Sequence, residues 1–189
     1  LIRFLFVLII CCQIGVYKYL HFLLYPSSKN QLFKDFFPSR NPAETIMVFS
    51  RILGLGLIFS NFSIFLNQGF FYATFDFILS STITFSLYLL SIYILESIVL
   101  SDFEYVDEIT RKNNIPYALV SASYSIGIPI IFKAYLTHSI YENAHNIIYI
   151  IFMWCFTIVL LGFSVKSYSF LSKLNFNNLL VQKSYAVGF

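Results

Sequence analysis

The stretch FFYATFDFILSSTITFSLYLLSIYILESIV, residues 70–99, carries two charged side chains, Asp76 and Glu96, in thirty residues. A helix needs about 20 mainly apolar residues to cross the hydrocarbon core of a bilayer. Residues 70–99 therefore predict a membrane-spanning helix, with length to spare for tilt or for an extension beyond the bilayer.

The rest of the chain has the same character. It is 58% hydrophobic and 11% charged, whereas a soluble domain is about 25% charged, and its mean hydropathy is +0.76. Four more stretches are long and apolar enough to span: about 2–25, 45–67, 116–137 and 146–171. The predicted fold class is an all-α integral membrane protein with about five transmembrane helices.

Charge and cysteine content exclude several functions. A net charge of +3 with scattered carriers does not provide the clustered basic face that nucleic acid requires. Cys11, Cys12 and Cys155 lie in apolar runs without metal-binding spacing, which predicts buried free thiols. The sequence contains no nucleophile elbow, P-loop, dinucleotide fingerprint or zincin helix, so we expect no enzyme, cofactor or metal.

Basic residues predict the orientation. If spans alternate, residues 26–44, residues 100–115 and the tail from 172 share one side of the membrane. That side carries seven basic residues: Lys29, Lys34, Arg40, Arg111, Lys112, Lys173 and Lys183. By the positive-inside rule this side is cytoplasmic, which predicts an N-out, C-in protein of a bacterial or organellar inner membrane.

The chain also contains an internal repeat. An offset of 73 residues aligns Asn41 with Asn114 and Gly54 with Gly127, together with Ser50 and Ser123, Ile58 and Ile131, and Phe59 and Phe132. Each unit holds an interfacial helix and a two-helix hairpin, so both copies have the same orientation and form a parallel repeat. The predicted divisions are an N-terminal transmembrane helix (1–29), repeat 1 (30–99), repeat 2 (100–171) and a cytoplasmic-side tail (172–189).

Repeat 2 opens with DEITRKNNIPYAL, residues 107–119, and Gly127 follows Asn114 by thirteen residues. This acidic-Ile turn, basic residue, Asn and spaced Gly resemble the YjfL-like bacterial inner-membrane proteins, or domain of unknown function 350. The resemblance covers residues 38–171. It implies a membrane fold in which the unit often occurs twice, and the family has no established activity. Repeat 1 departs from the pattern, with Pro-Ala-Glu at 42–44 and no acidic-Ile turn.

The repeated asparagines and glycines are candidate functional residues. Asn41 and Asn114 each precede a spanning helix, where an Asn side chain typically caps the first turn. The alternative is a paired ligand site on a pseudo-twofold axis. Gly54 and Gly127 occupy equivalent positions in the two units.

Ionisable groups inside spans are costly and usually have a partner or a purpose. Asp76 and Lys133 are at similar predicted depth, which allows an ion pair. Glu96 is at the depth of both Arg51 and Lys166 and can neutralise either. The polar residues of the third span either line a water path or bond to neighbouring helices: Thr74, Ser80, Ser81, Thr82, Thr84 and Ser86.

Two functions are compatible with these features. The first is a non-catalytic membrane subunit that scaffolds a larger complex, of respiratory type if the gene is organellar. The second is a small oligomeric transporter or channel component that uses Asp76. The expected partners are membrane lipids and either other membrane subunits or further copies of this chain.

Overall fold

The computed structural model describes residues 2–24, 41–60, 62, 69–100, 103, 106–135, 144–172 and 181, and all regular structure within them is helical. The five longer helices are α1 (Ile2–Leu24), α2 (Pro42–Phe59), α3 (Phe70–Val99), α4 (Ile115–Tyr135) and α5 (Ala144–Ser172). A six-residue π-helix, Val106–Arg111, lies between α3 and α4.

Helices α2 to α5 are each long and apolar enough to cross a membrane. The all-α integral membrane fold is thereby supported, with four candidate spans rather than the predicted five. Helix α1 has 23 residues, but its described apolar stretch, Phe4–Tyr17, is shorter than a span. The first predicted span therefore stays a prediction.

The most extensive helix-helix contact joins α2 to α4, one helix from each predicted repeat. The two helices run parallel, because Asn113 bonds to Ala43 at their amino-terminal ends and Gly54 lies against Ser125 further along. Contacts within each predicted hairpin are smaller. A short loop forces two helices to be neighbours, but it does not make them the principal packing partners.

Gly54 is the point of closest approach. A Cβ atom at this position would overlap the carbonyl oxygen of Ser125 and the hydroxyl of Tyr88, whose side chain is fully buried. Such close approach through small residues is how membrane helices gain packing energy. Gly127, its counterpart in the predicted repeat, has a different setting, since a Cβ there would meet nothing within 4 Å.

The connection from α3 to α4 differs from its prediction. The sequence favours an interfacial helix at residues 101–109, whereas the structure has a π-helix that begins five residues later and ends two residues later. Asn113 follows with a positive φ of 51°, which Asn adopts more readily than most residues. The corresponding interfacial helix predicted at residues 30–37 lies outside the described residues.

Between α2 and α3 the structure describes Ser60, Phe62 and Gly69, and Gly69 has a φ of 98° at the start of α3. The loop before α5 lies largely outside the described residues. The prediction of buried thiols is wrong, because Cys11, Cys12 and Cys155 are free and exposed. They sit on the outward faces of α1 and α5.

Substituting Gly54 tests the close approach of α2 and α4. We expect Gly54→Ala to lower the free energy of unfolding by about 3 kcal/mol, because the added methyl overlaps backbone that cannot move alone. The matched control is Gly127→Ala, which we expect to leave stability unchanged or slightly raised, since alanine favours helix. Thermal unfolding in detergent measures both. Equal stability of the two variants would contradict the packing described here.

Candidate functional site at the buried face of helix α3

The buried face of α3 is unusually polar for a spanning helix. Its buried polar members recur at intervals of three to five residues along one side of the helix, apart from the adjacent pair Ser80 and Ser81. They are Ser80, Ser81, Thr84, Tyr88, Ser91 and Glu96. In lipid each of these groups needs a hydrogen-bond partner. The identity of these partners therefore indicates the role of this face of α3.

Glu96 is the charged centre of this face. Its Oε1 accepts a hydrogen bond from Arg51 Nη2 of α2 at 2.8 Å and another from Ser121 Oγ of α4 at 2.5 Å. The side chains of Arg51 and Glu96 are only 4% and 8% exposed. Of the two cations at similar depth, the structure thus pairs Glu96 with Arg51, while Lys166 is exposed.

Other polar bonds join α3 to the remaining helices. Gln13 Nε2 of α1 donates to Ser81 Oγ at 2.8 Å, and Trp154 Nε1 of α5 donates to Ser91 Oγ at 2.7 Å. Tyr88 donates to the carbonyl oxygen of Ser125 in α4 at 3.0 Å. Each of α1, α2, α4 and α5 is therefore bonded to α3 through at least one side chain.

Other hydroxyls of the predicted polar patch bond within α3, except that Thr82 Oγ1 accepts from Gln13 Nε2 of α1 at 3.5 Å. Thr74, Thr84 and Ser86 each donate to the backbone carbonyl four residues earlier, and Thr82 and Ser86 are exposed. Between the two interpretations of the patch, this geometry favours bonding within and between helices over the lining of a water path.

Asp76 and Lys133 are not brought together by the structure. The Oδ1 atom of Asp76 accepts a hydrogen bond from Ser80 Oγ at 3.4 Å, one turn along the same helix. Lys133 is exposed near the end of α4, and the ion pairs of the described residues do not include one between it and Asp76. Similar depth does not ensure that two side chains face each other.

Asn41 and Asn114 have equivalent capping roles. Asn41 Oδ1 accepts from the backbone N–H of Glu44 at 3.0 Å, and Asn114 Oδ1 accepts from that of Tyr117 at 3.3 Å. The amide of Asn41 also donates to the carbonyl oxygen of Ile109 at 3.0 Å. Both side chains thus act as caps, and neither has its oxygen left open for a ligand.

Sequence reasoning overlooked Asn113. Its Oδ1 accepts from the backbone N–H of Ala43 at 3.1 Å, so the entry to α4 caps the first turn of α2. The Asn-Asn pair at 113–114 was a usable signal, because Asn both tolerates positive φ and caps helices. Gln13 was overlooked too, although an amide inside an apolar run requires a partner.

A second charged cluster lies outside the spans. Buried Glu108 accepts from Lys112 Nζ and from Asn114 Nδ2, both at 2.7 Å, and Lys112 also pairs with Asp107 at 3.0 Å. The hydrogen bond from Lys112 lowers the pKa of Asp107. The pKa of Lys112 is raised by its hydrogen bonds to Glu108 first and Asp107 second. These hydrogen bonds and ion pairs connect the π-helix to the start of α4.

The polar groups on the buried face of α3 hold neighbouring helices together. Arg51 and Glu96 neutralise each other, and Ser121 adds a further hydrogen bond to the same carboxylate oxygen. Within the described part of the chain, no three His, Cys, Asp or Glu side chains are grouped to hold a metal ion.

Four long apolar helices, two of which are joined by a buried ion pair, define a polytopic α-helical membrane protein. Residues 2–136, more than half of the chain, match the family model described as Domain of Unknown Function (DUF350), and the chain belongs to that family. The family assignment made from residues 107–127 is thus confirmed at the level of the family. No curated protein and no solved structure matches the chain.

Removing one partner of the buried ion pair tests its role. We expect Arg51→Met or Glu96→Leu to lower the free energy of unfolding by about 3–5 kcal/mol, because the other charge is left buried without its counterion. The double variant should lose less than either single one, since no lone charge remains.

The control for these variants is Lys166→Met, which removes an exposed cation at similar depth and should change stability by less than about 0.5 kcal/mol. Denaturation in detergent, followed by circular dichroism, compares the four variants. Single variants as stable as Lys166→Met would show that the pair contributes nothing to the fold.

The cluster outside the spans predicts a dependence of stability on pH. Because folding lowers the pKa of Asp107 from 3.8, its contribution is present above that value and is lost as the pH falls through the folded pKa. Lys112, with its pKa raised above 10.5, loses its contribution only as the pH rises beyond that value. As the pH is lowered from 6 to 3, the unfolding temperature should therefore fall more steeply for the wild type than for Asp107→Asn. Superimposable profiles would contradict this.

Proposed function

We propose that this chain is a non-catalytic multi-spanning subunit that scaffolds or stabilises a larger membrane complex. The observation that carries the proposal is the use made of the polar groups of α3. Ser81, Ser91 and Glu96 bind side chains of the neighbouring helices, and Tyr88 binds the backbone of α4. Groups committed to holding helices together suit a rigid membrane-embedded unit better than they suit a path for solutes.

The outer surface of α5 supports assembly with other membrane proteins. This helix has 29 residues, about 43 Å at 1.5 Å per residue, which exceeds the hydrocarbon core of about 30 Å. Its most apolar window is only 22% buried within the chain. Large side chains cover the exposed side: Ile148, Phe152, Phe156, Val159, Phe163 and Phe170. We propose that other subunits, or further copies of the chain, share this surface with lipid.

We further propose that the chain is a tandem parallel duplication of the YjfL-like unit. Support comes from Asn41 and Asn114, which lie 73 residues apart and cap their helices through the same Oδ1-to-amide contact three residues ahead. The parallel course of α2 and α4 agrees with copies of the same orientation. The N-out, C-in orientation in a bacterial or organellar inner membrane stays a prediction from the basic residues.

Transport is the second candidate, and Asp76 is the reason to retain it. This carboxylate lies two turns into a spanning helix, is only partly buried, and faces the same side as Ser80. A carboxylate with access to the surface from within a span is a typical element of cation or proton pathways. The proposal would then be a small oligomeric transporter or channel component.

One experiment separates the two functions. The tagged chain is extracted from its native membrane in mild detergent, and co-purifying proteins are identified and quantified by mass spectrometry. We expect heterologous membrane subunits in fixed stoichiometry. The purified chain is also reconstituted in vesicles, where we expect no flux of protons or monovalent cations.

The variant Asp76→Asn tests the transport alternative. Asp107→Asn is its matched control, because it removes a carboxylate outside the spans. Recovery of the chain alone, together with a flux that Asp76→Asn abolishes and Asp107→Asn preserves, would replace the scaffold proposal with transport. Normal assembly of both variants with the partner subunits would leave the scaffold function in place.

A further inference from the structure

Helix α4 contains a proline in its interior, Pro129. Proline has no amide hydrogen, so it cannot donate the usual helical bond to the carbonyl oxygen four residues earlier, and its ring crowds that carbonyl group. The carbonyl belongs to Ser125, which is fully buried. Spanning helices tolerate such an interruption because neighbouring groups bind the released oxygen. The donor that binds the oxygen of Ser125 is therefore a structural requirement of α4.

The hydroxyl of Tyr88 in α3 is that donor. It bonds to the carbonyl oxygen of Ser125 at 3.0 Å and also lies 3.4 Å from the carbonyl oxygen of Arg51 in α2. The two acceptors are not equivalent, because the amide of Leu55 stands four residues after Arg51, whereas Pro129 stands four residues after Ser125. A hydroxyl has one hydrogen to donate. The shorter distance and the missing amide both direct this hydrogen to Ser125.

Gly54 makes room for this hydrogen bond. A Cβ atom at residue 54 would overlap both the hydroxyl of Tyr88 and the carbonyl oxygen of Ser125. The small residue of α2 thus lets a side chain of α3 reach the backbone of α4. Since the side chain of Tyr88 is itself fully buried, its hydroxyl depends on these neighbours for a partner.

The segment of α4 from Ser125 to Pro129 has a weakened backbone. Pro129 removes one helical hydrogen bond, and Gly127 between them has more conformational freedom than any other residue type. Sharp bends in helices occur mainly at prolines and at a few other local defects. We propose that residues 125–129 form a hinge in α4, and that the hydroxyl of Tyr88 locks this hinge by replacing the hydrogen-bond donor that Pro129 lacks. This inference does not depend on the proposed scaffold function.

A double-mutant cycle tests whether Tyr88 replaces the missing amide. Tyr88→Phe removes only the hydroxyl and should raise the unfolding equilibrium constant about tenfold, because the buried carbonyl of Ser125 loses its donor. Pro129→Ala restores the amide, so in its presence the effect of Tyr88→Phe should fall below about threefold. Denaturation in detergent measures the four proteins.

The control for the cycle is Ser91→Ala. This variant removes another buried hydroxyl from α3, but one that binds Trp154 of α5 rather than α4. Its effect on the unfolding equilibrium constant should be the same with and without Pro129→Ala, because the two sites share no partner.

Pairs of nitroxide labels test whether the hydroxyl locks a hinge. The three native cysteines are replaced by alanine, and labels are placed at exposed positions: Lys133 with Tyr93 in one protein, and Ser123 with Phe71 in another. The first pair reports the part of α4 beyond the hinge, and the second pair reports the part before it. By pulsed electron paramagnetic resonance in nanodiscs, we expect the tyrosine variant to broaden the distance distribution of the first pair only. Adding the proline variant should reverse this broadening.

Either of two results would overturn the proposal. One is an equal effect of Tyr88→Phe on stability with and without Pro129→Ala. The other is a first-pair distance distribution that Tyr88→Phe leaves unchanged or broadens together with that of the second pair. If Tyr88→Phe alone does not fold, addition of Pro129→Ala should restore folding. Failure of the double variant, when Pro129→Ala by itself folds, would contradict the proposal in the same way.

Discussion

A carboxylate buried in a membrane must be neutralised, and this constraint organises the bundle around Glu96. Moving an isolated charge into a low-dielectric interior costs several kcal/mol even after relaxation. Arg51 and Ser121 meet that cost from α2 and α4, which are the two helices in most extensive contact. Glu96 therefore has both of its partners only when α2, α3 and α4 are assembled together. Neutralising this one carboxylate thus requires the correct arrangement of all three helices.

The same logic extends along α3 at other depths. Lipid gives no hydrophobic advantage to helix association, so close packing and polar bonds must provide it. The chain uses both means in different places. Gly54 allows α2 and α4 to approach until Tyr88 reaches the carbonyl oxygen of Ser125, whereas Gln13 and Trp154 attach the outer helices α1 and α5 by polar bonds. The most extensive contact is between α2 and α4, α5 packs mainly on α3, and α1 has a smaller contact with α3.

How much of this was predictable depends on the kind of constraint. Spans followed from apolar length, because a bilayer of fixed thickness imposes that length on any sequence. Caps followed from residue type, because Asn41 and Asn114 stand where free amides need an acceptor. The pairing of charged side chains could not be predicted from the sequence. Depth placed Glu96 level with both Arg51 and Lys166, but only the rotation of each helix decides which cation faces inward. For the same reason Asp76 and Lys133, although level, are not joined.

The two glycines that the predicted repeat aligns have different surroundings in the structure. Gly54 and Gly127 align at the same offset as the two capping asparagines, yet Gly54 lies at the tight α2–α4 contact and Gly127 has open space around it. Gly54 faces Ser125 rather than its own counterpart, so the two helices are shifted against each other by about half a turn. A shift of this kind lets one helix present a small residue to the backbone of the other. It also leaves Gly127 outside this close contact.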